Sequence, residues 1–171
     1  MIDNKLKNIK ILLLDVDGVL TRGEIIYTGA DQETKVFNIK DGFGIRMLRE
    51  AGLSVGIVTG RSSEALLRRV RELDIQYLYD GVRDKAPLLD RIRAETGFSS
   101  DEVAFVGDDM PDIALMKRVG LSVAVADAHE TVRARADMVT ASAGGQGAVR
   151  EICELILKSK GLWEEILARW A

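Results

Sequence analysis

Two acid pairs and two lone polar residues in this chain have the types and placement needed to handle an anion. Asp15 and Asp17 follow the apolar run Ile9–Leu14, and Asp108 and Asp109 follow Val103–Val106. In an extended segment residues two apart project the same way, so Asp15 and Asp17 are expected to face a common point. Carboxylates that close repel one another unless a hard, oxygen-liganded divalent cation such as Mg²⁺ neutralises them. Acids at strand ends also cap the helices that follow, which is the plainer reading of either pair alone. Thr59 ends the apolar run Val55–Val58, where its hydroxyl is placed either to donate to a phosphoryl oxygen or simply to close a strand. Lys85 precedes a helix start, where the helix dipole disfavours a cation by a few tenths to about 1 kcal/mol unless an anion sits nearby.

The elements that must position these residues are legible in the spacing of apolar residues. The runs Ile9–Leu14, Val55–Val58, Val103–Val106 and Ser122–Val125 are short and continuous, as strands covered on both faces require. Between and after them, Asp41–Ala51, Ser62–Leu73, Lys85–Thr96, Pro111–Arg118, Thr131–Ala136 and Gly147–Lys160 carry helical spacing. Glu24–Tyr27 and Lys35–Ile39 flank a turn-like Thr28–Asp31 and predict a β-hairpin after the first strand. The expected fold class is α/β, a three-layer, Rossmann-like parallel sheet interrupted by that hairpin. In such a sheet ligands bind past the carboxyl ends of the strands, where the acids stand.

Composition narrows the partners. With 171 residues, 47% of them hydrophobic, the chain fits a single domain over 1–171, with the hairpin at about 23–39 and a C-terminal tail at about 161–171. A net charge of −3 with dispersed Lys and Arg argues against a nucleic-acid surface and for a small-molecule partner. The lone Cys153 sits on the apolar side of a helix and reads as core packing. It cannot form an intrachain disulfide, which suits a reducing compartment. Neither a secretory signal nor a membrane span is expected, and the chain reads as cytoplasmic.

Taken together, these residues resemble the haloacid dehalogenase superfamily of phosphotransferases. Asp15-x-Asp17-Gly18-x-x-Thr21 matches its first motif, Thr59 its second, Lys85 its third and Gly107-Asp108-Asp109-x-x-Asp112 its fourth. The resemblance implies that Asp15 attacks phosphorus to form an aspartyl-phosphate, and that Asp17 protonates the leaving alkoxide and then activates water. It implies Mg²⁺ held by Asp15, the backbone carbonyl of Asp17 and Asp108, with Thr59 and Lys85 on the phosphoryl oxygens and Asp109 and Asp112 as supporting acids. An acid at position 17 argues against dehalogenation. The intervals between motifs are too short for a cap domain, so an open site closed by a neighbouring chain, and hence a homo-oligomer, is expected.

Over nearly its full length the chain is similar to the capless branch that hydrolyses 3-deoxy-D-manno-octulosonate 8-phosphate in lipopolysaccharide biosynthesis. The similarity rests on Phe37–Ile45, Thr59-Gly60-Arg61, Val119–His129 and Gly144–Glu151. It implies a tetramer, and substrate contacts from Asn38, Ile39, Lys40, Asp41, Gly42, Arg46, Arg61, Arg69 and Lys85. Each arginine suits an acidic sugar through bidentate pairing, although arginines on helices are ordinarily solvated surface. His129 reads as a structural hydrogen-bonder. Gly144–Gly147 reads either as a flexible start to a helix or as part of the site mouth. The stripe Leu162, Trp163, Ile166, Leu167 and Trp170 suggests a packed tail. Three rival readings stay open at this point. A nonulosonate 9-phosphate phosphatase would share every catalytic residue; a receiver-like signalling module also pairs acids with Mg²⁺, Thr and Lys; a turnover-dead structural subunit would keep the fold alone.

Overall fold

The computed structural model describes residues 2–29 and 33–170. Its strands are Ile11–Leu14 (β1), Ile26–Tyr27 (β2), Glu33–Thr34 (β3), Ser54–Val58 (β4), Tyr77–Tyr79 (β5), Val103–Gly107 (β6), Leu121–Ala124 (β7) and Met138–Val139 (β8). Its helices are Ile2–Asn8 (α1), Ile39–Glu50 (α2), Glu64–Glu72 (α3), Leu88–Thr96 (α4), Ile113–Met116 (α5), Glu130–Arg133 (α6), Ala148–Ser159 (α7) and Trp163–Ala168 (α8).

All four residues of β1 are fully buried, so both its faces need cover and both its edges need partners. β4 and β6 supply the edges, each parallel to β1, within a six-stranded sheet ordered β5-β4-β1-β6-β7-β8. The chain passes from β1 outward to β4 and β5, then returns to β6 on the far side of β1 and continues to β7 and β8. Right-handed crossovers running in opposite directions lay their helices on opposite faces of the sheet, and a crevice opens at the carboxyl ends where the direction reverses. Leu14 pairs with Ile57 and with Val106, so Asp15, Thr59 and Asp108 leave neighbouring strands side by side at that crevice.

The helices form where capping and apolar spacing agree. Asn38 caps α2 by accepting from the Lys40 N–H at 2.8 Å, and Ser63 caps α3 by accepting from the Leu66 N–H at 3.2 Å. α2 buries Ile45, Met47 and Leu48, and packs against α7, which buries Val149, Ile152, Cys153, Ile156 and Leu157. Cys153 is thus core, as its position suggests.

Three elements depart from the sequence reading. The hairpin exists, with Ile26 opposite Thr34 and Tyr27 opposite Glu33, but each strand is two residues long. Lys35–Asn38 lies outside the ribbon, and Ile39 opens α2 instead of closing a strand. A two-stranded ribbon with exposed faces has no core to extend it. Residues 30–32, which include part of the expected turn, lie outside the described residues. α1 and β8 are the other additions. α1 buries only Leu6 fully, and β8 pairs two residues along the edge of β7.

Candidate active site

The loop leaving β1 turns at once. The N–H groups of Val19, Leu20 and Thr21 all donate to the Val16 carbonyl, and the Thr21 hydroxyl accepts from Gly18 and Gly23 N–H at 3.4 and 3.2 Å. The extended chain of β1 therefore gives way to a turn just past Leu14, and Asp15 and Asp17 both line the cleft that opens there. Gly18 adopts φ +86°, and a Cβ there would collide with the Asp108 carboxylate, so only glycine fits. Gly145 N–H donates to the Val19 carbonyl at 2.8 Å, and the Asn38 amide donates to the Gly145 carbonyl at 3.2 Å. The glycine-rich stretch backs this first loop from beneath.

Asp15, Asp108 and Asp112 offer carboxylate oxygens that lie within 4.8 Å of one another. The third acid of the cluster is Asp112, not Asp17. Lys85 is threaded into it, donating to Asp15 Oδ2 at 2.7 Å and Asp112 Oδ1 at 2.6 Å, with its side chain only 3% exposed. Burial works against the Lys85 ammonium, but the two carboxylates outweigh it and hold its proton above the ordinary lysine range. Asp112 Oδ2 accepts from the Asp108 and Asp109 N–H groups at 2.9 and 3.3 Å, so its carboxylate is committed to the loop and to Lys85. Burial pushes Asp15 up to about 7, with Asp112 adding to it and Lys85 opposing it. Burial likewise pushes Asp108 up to about 8, with the charges of Asp112, Asp15 and Asp109 adding to it. A set of oxygen donors this averse to its own charge suits a hard divalent cation such as Mg²⁺. Asp109 also lines the cleft over the cluster, and its carboxylate accepts from Met110 N–H at 2.8 Å and caps the short turn Met110–Asp112.

A cleft of about 500 Å³ opens over the cluster, lined by Asp15, Asp17, Thr59, Arg61, Lys85 and Asp108 among others. Thr59 is buried, with its Oγ1 accepting from Arg61 N–H at 3.3 Å. Asp17 reaches the cleft from the side, where Lys35 donates to its Oδ1 at 2.5 Å. Lys35 escaped the sequence reading because its partner is 18 positions away across the loop and the hairpin. Arg83 also lines the cleft and was not anticipated.

Comparison with known proteins places this geometry. The model of haloacid dehalogenase-like hydrolases matches residues 78–152. The 3-deoxy-D-manno-octulosonate 8-phosphate phosphatase KdsC of Escherichia coli K12 is 44% identical over 161 residues, which is 94% of this chain and 86% of the relative. The chain belongs to this phosphatase family. Within the family, the Moraxella catarrhalis phosphatase, solved with magnesium, phosphate and 3-deoxy-D-manno-octulosonate, superposes at TM-score 0.96 with 39% identity, covering 99% of this chain and 98% of that one. A cobalt-bound phosphatase from Haemophilus influenzae superposes at 0.90 with 38% identity, covering 93% of each chain.

Of the residues that the family likeness assigns to substrate, Arg61 and Lys85 line the cleft within one chain and the others do not. Asn38, Ile39 and Lys40 open α2, where Ile39 is 82% exposed and Asn38 is occupied as its cap. Asp41 is buried and accepts from the Arg150 and Gly147 N–H groups at 2.8 and 3.4 Å, which makes it the anchor for the start of α7. Gly42 lies under Arg69, whose guanidinium covers the Phe37 ring and donates to the Asn38 carbonyl. Arg46 pairs with Glu50 and stacks over Trp170. His129 is structural, its N–H donating to the Asp108 carbonyl and its Nδ1 accepting from Thr131 N–H. The tail packs only in part: Ile166 is buried and Trp170 meets Phe43 edge-on at 4.9 Å, while Leu167 and Trp170 remain about half exposed.

Proposed function

We propose that this chain is a Mg²⁺-dependent phosphomonoesterase that hydrolyses 3-deoxy-D-manno-octulosonate 8-phosphate to the free sugar acid and phosphate, in lipopolysaccharide biosynthesis. The observation that carries this reading is the buried Asp15–Lys85–Asp112 chain beside Asp108, at the mouth of a parallel sheet, in a protein 44% identical to such phosphatases over 94% of its length. Asp15, Asp108 and the backbone carbonyl of Asp17 are the groups that hold the metal, which when bound offsets negative charge on the carboxylates and the phosphoryl group.

Asp15 is the nucleophile. One of its carboxylate oxygens bonds to phosphorus as the ester P–O bond breaks, and Asp17 gives its proton to the departing alkoxide. Water then attacks phosphorus, Asp17 takes the water proton, and the Asp15–phosphorus bond breaks to free phosphate. Lys85 and the Thr59 hydroxyl grip the phosphoryl oxygens, while Asp112 and the backbone it ties hold Lys85 in place. Arg61 meets the sugar from within the same chain.

The remaining sugar contacts, Asn38 to Gly42, Arg46 and Arg69, come in this reading from a neighbouring subunit of a tetramer, whose hairpin closes the cleft. Ile25, Ile26, Tyr27, Val36 and Ile39 form an exposed apolar set on and beside the hairpin, which supports an interface there. None of the described residues forms a helix long and apolar enough to cross a membrane. A cytoplasmic single-domain enzyme is the form we assign. Phosphate release from the octulosonate ester, with and without Mg²⁺, tests the activity; a kcat/KM on nonulosonate 9-phosphate exceeding that on the octulosonate ester would reassign the substrate.

A further inference from the structure

Lys35 has no part in the reaction above, yet its side chain is only 2% exposed although it leaves a ribbon that stands clear of the core. Burying an ammonium is costly unless it is fully paired, and here the pairs are close. Lys35 Nζ lies 2.5 Å from Asp17 Oδ1 and 2.6 Å from Glu33 Oε1. Arg61 completes a ring, with Nη2 2.5 Å from Glu33 Oε2 and Nε 3.8 Å from Asp17 Oδ2. Two cations and two carboxyl groups alternate around it. Among the described residues Lys35 is the one group that hydrogen-bonds the Asp17 carboxylate.

We infer that Lys35 is a positioning residue for the acid–base step: it pins Asp17 through Oδ1 and thereby leaves Oδ2 as the oxygen that carries the proton. The chemistry of the pair requires this division. An ammonium has three donors and no acceptor, so the oxygen facing it must accept, and a proton on the carboxyl group can reside only on the other oxygen. In the first step the Oδ2 proton passes to the ester oxygen as its bond to phosphorus breaks and the Asp15 bond forms. In the second, Oδ2 takes a proton from the water whose oxygen bonds to phosphorus as the Asp15 bond breaks. Without Lys35 the Asp17 side chain keeps only the longer, 3.8 Å pairing of its Oδ2 with Arg61, and the acid is less often aimed. The inference rests on the phosphatase reading and adds to it a residue from the hairpin.

The test measures kcat/KM for Lys35→Met and Lys35→Arg on three monoesters, the octulosonate ester, phenyl phosphate and p-nitrophenyl phosphate. The two aryl esters share a shape but differ in how far the leaving oxygen needs a proton. For Lys35→Met the losses should be about tenfold or more on phenyl phosphate and on the sugar ester, part of the roughly 10²–10⁴-fold that a placed acid supplies, and about twofold or less on p-nitrophenyl phosphate. Lys35→Arg should recover most of the loss, and Lys35→Met added to Asp17→Asn should cost nothing further. Equal losses on both aryl esters, or losses that add to those of Asp17→Asn, overturn the assignment. Lys35→Gln carries the same comparison if the methionine variant does not fold. A parent protein that hydrolyses none of the three esters sinks the phosphatase reading itself, a result distinct from either outcome for Lys35.

Discussion

At the scale of single residues the site is a contest between burial and charge. Asp15 and Asp108, pushed up to about 7 and about 8 from an ordinary 3.8, keep protons in the folded metal-free chain that the unfolded chain releases near pH 4. Between those limits the folded state binds more protons, so stability of the metal-free protein falls as pH rises through about 4 to 8. Mg²⁺ competes for the same carboxylates, and its stabilisation grows over the same interval. Scanning calorimetry should therefore find a small rise in Tm on adding Mg²⁺ at pH 6 and a larger one at pH 8.5; a flat or reversed trend contradicts the assignment. Asp15→Asn should abolish turnover, whereas Asp17→Asn should slow it and leave phosphorylated protein detectable by mass spectrometry. Similar small losses from both changes would deny them separate roles. Lys85→Met leaves Asp112, 1% exposed, without its cation, a loss expected to cost about 3–5 kcal/mol in the absence of metal. Urea unfolding checks it, with Mg²⁺ expected to return more stability to the variant than it adds to the parent.

At the scale of elements, α2 and α7 show what a local residue can do away from the chemistry. Asp41 holds the first turn of α7 through the Arg150 and Gly147 N–H groups, so Asp41→Ala should lower stability by about 1–3 kcal/mol. If its role is anchoring, KM measured well below the melting range stays unchanged. A raised KM with unaltered stability would make it a ligand instead. The inner strands β1, β4, β6 and β7 were legible because each is a short, almost wholly buried apolar run, whereas the two-residue edge strand β8, half exposed, carried no such signal. Apart from α1, which buries little beyond Leu6, the helices were legible from apolar spacing to within a few positions. The hairpin was overextended because alternation in Lys35–Ile39 looks like a strand until Asn38 is seen to cap α2. The motif residues were legible by type, but which carboxylates meet was not. That depends on the turn built on the Val16 carbonyl and on Asp112 folding back onto the Asp108 N–H. Lys35 carried no signal of its own, since its use appears only when the ribbon bends onto the loop after β1.

At the scale of the whole molecule the question is how an open cleft becomes selective. The exposed set Tyr27, at 71%, Val36, at 63%, and Ile39, at 82%, sits beside the substrate residues that miss the cleft of their own chain. A second copy laid on that surface would bury the apolar groups and bring its own α2 to the neighbour's opening. Sedimentation should find a tetramer for the parent and smaller species for Ile39→Asp. The dissociated form should keep hydrolysis of p-nitrophenyl phosphate within about tenfold while losing far more on the sugar ester, because truncated contacts weaken specificity before chemistry. An Ile39→Asp protein that stays tetrameric would move the interface elsewhere.

Asp15, Lys85 and the acids around them are spread from position 15 to position 112 and meet only where β6 has been laid beside β1. A ribosome must therefore deliver more than half of the polypeptide before any divalent ion finds its ligands gathered. Metal capture would thus wait on the pairing of β6 with β1, and a refolding trace followed by ion binding would report that long-range step rather than the first collapse.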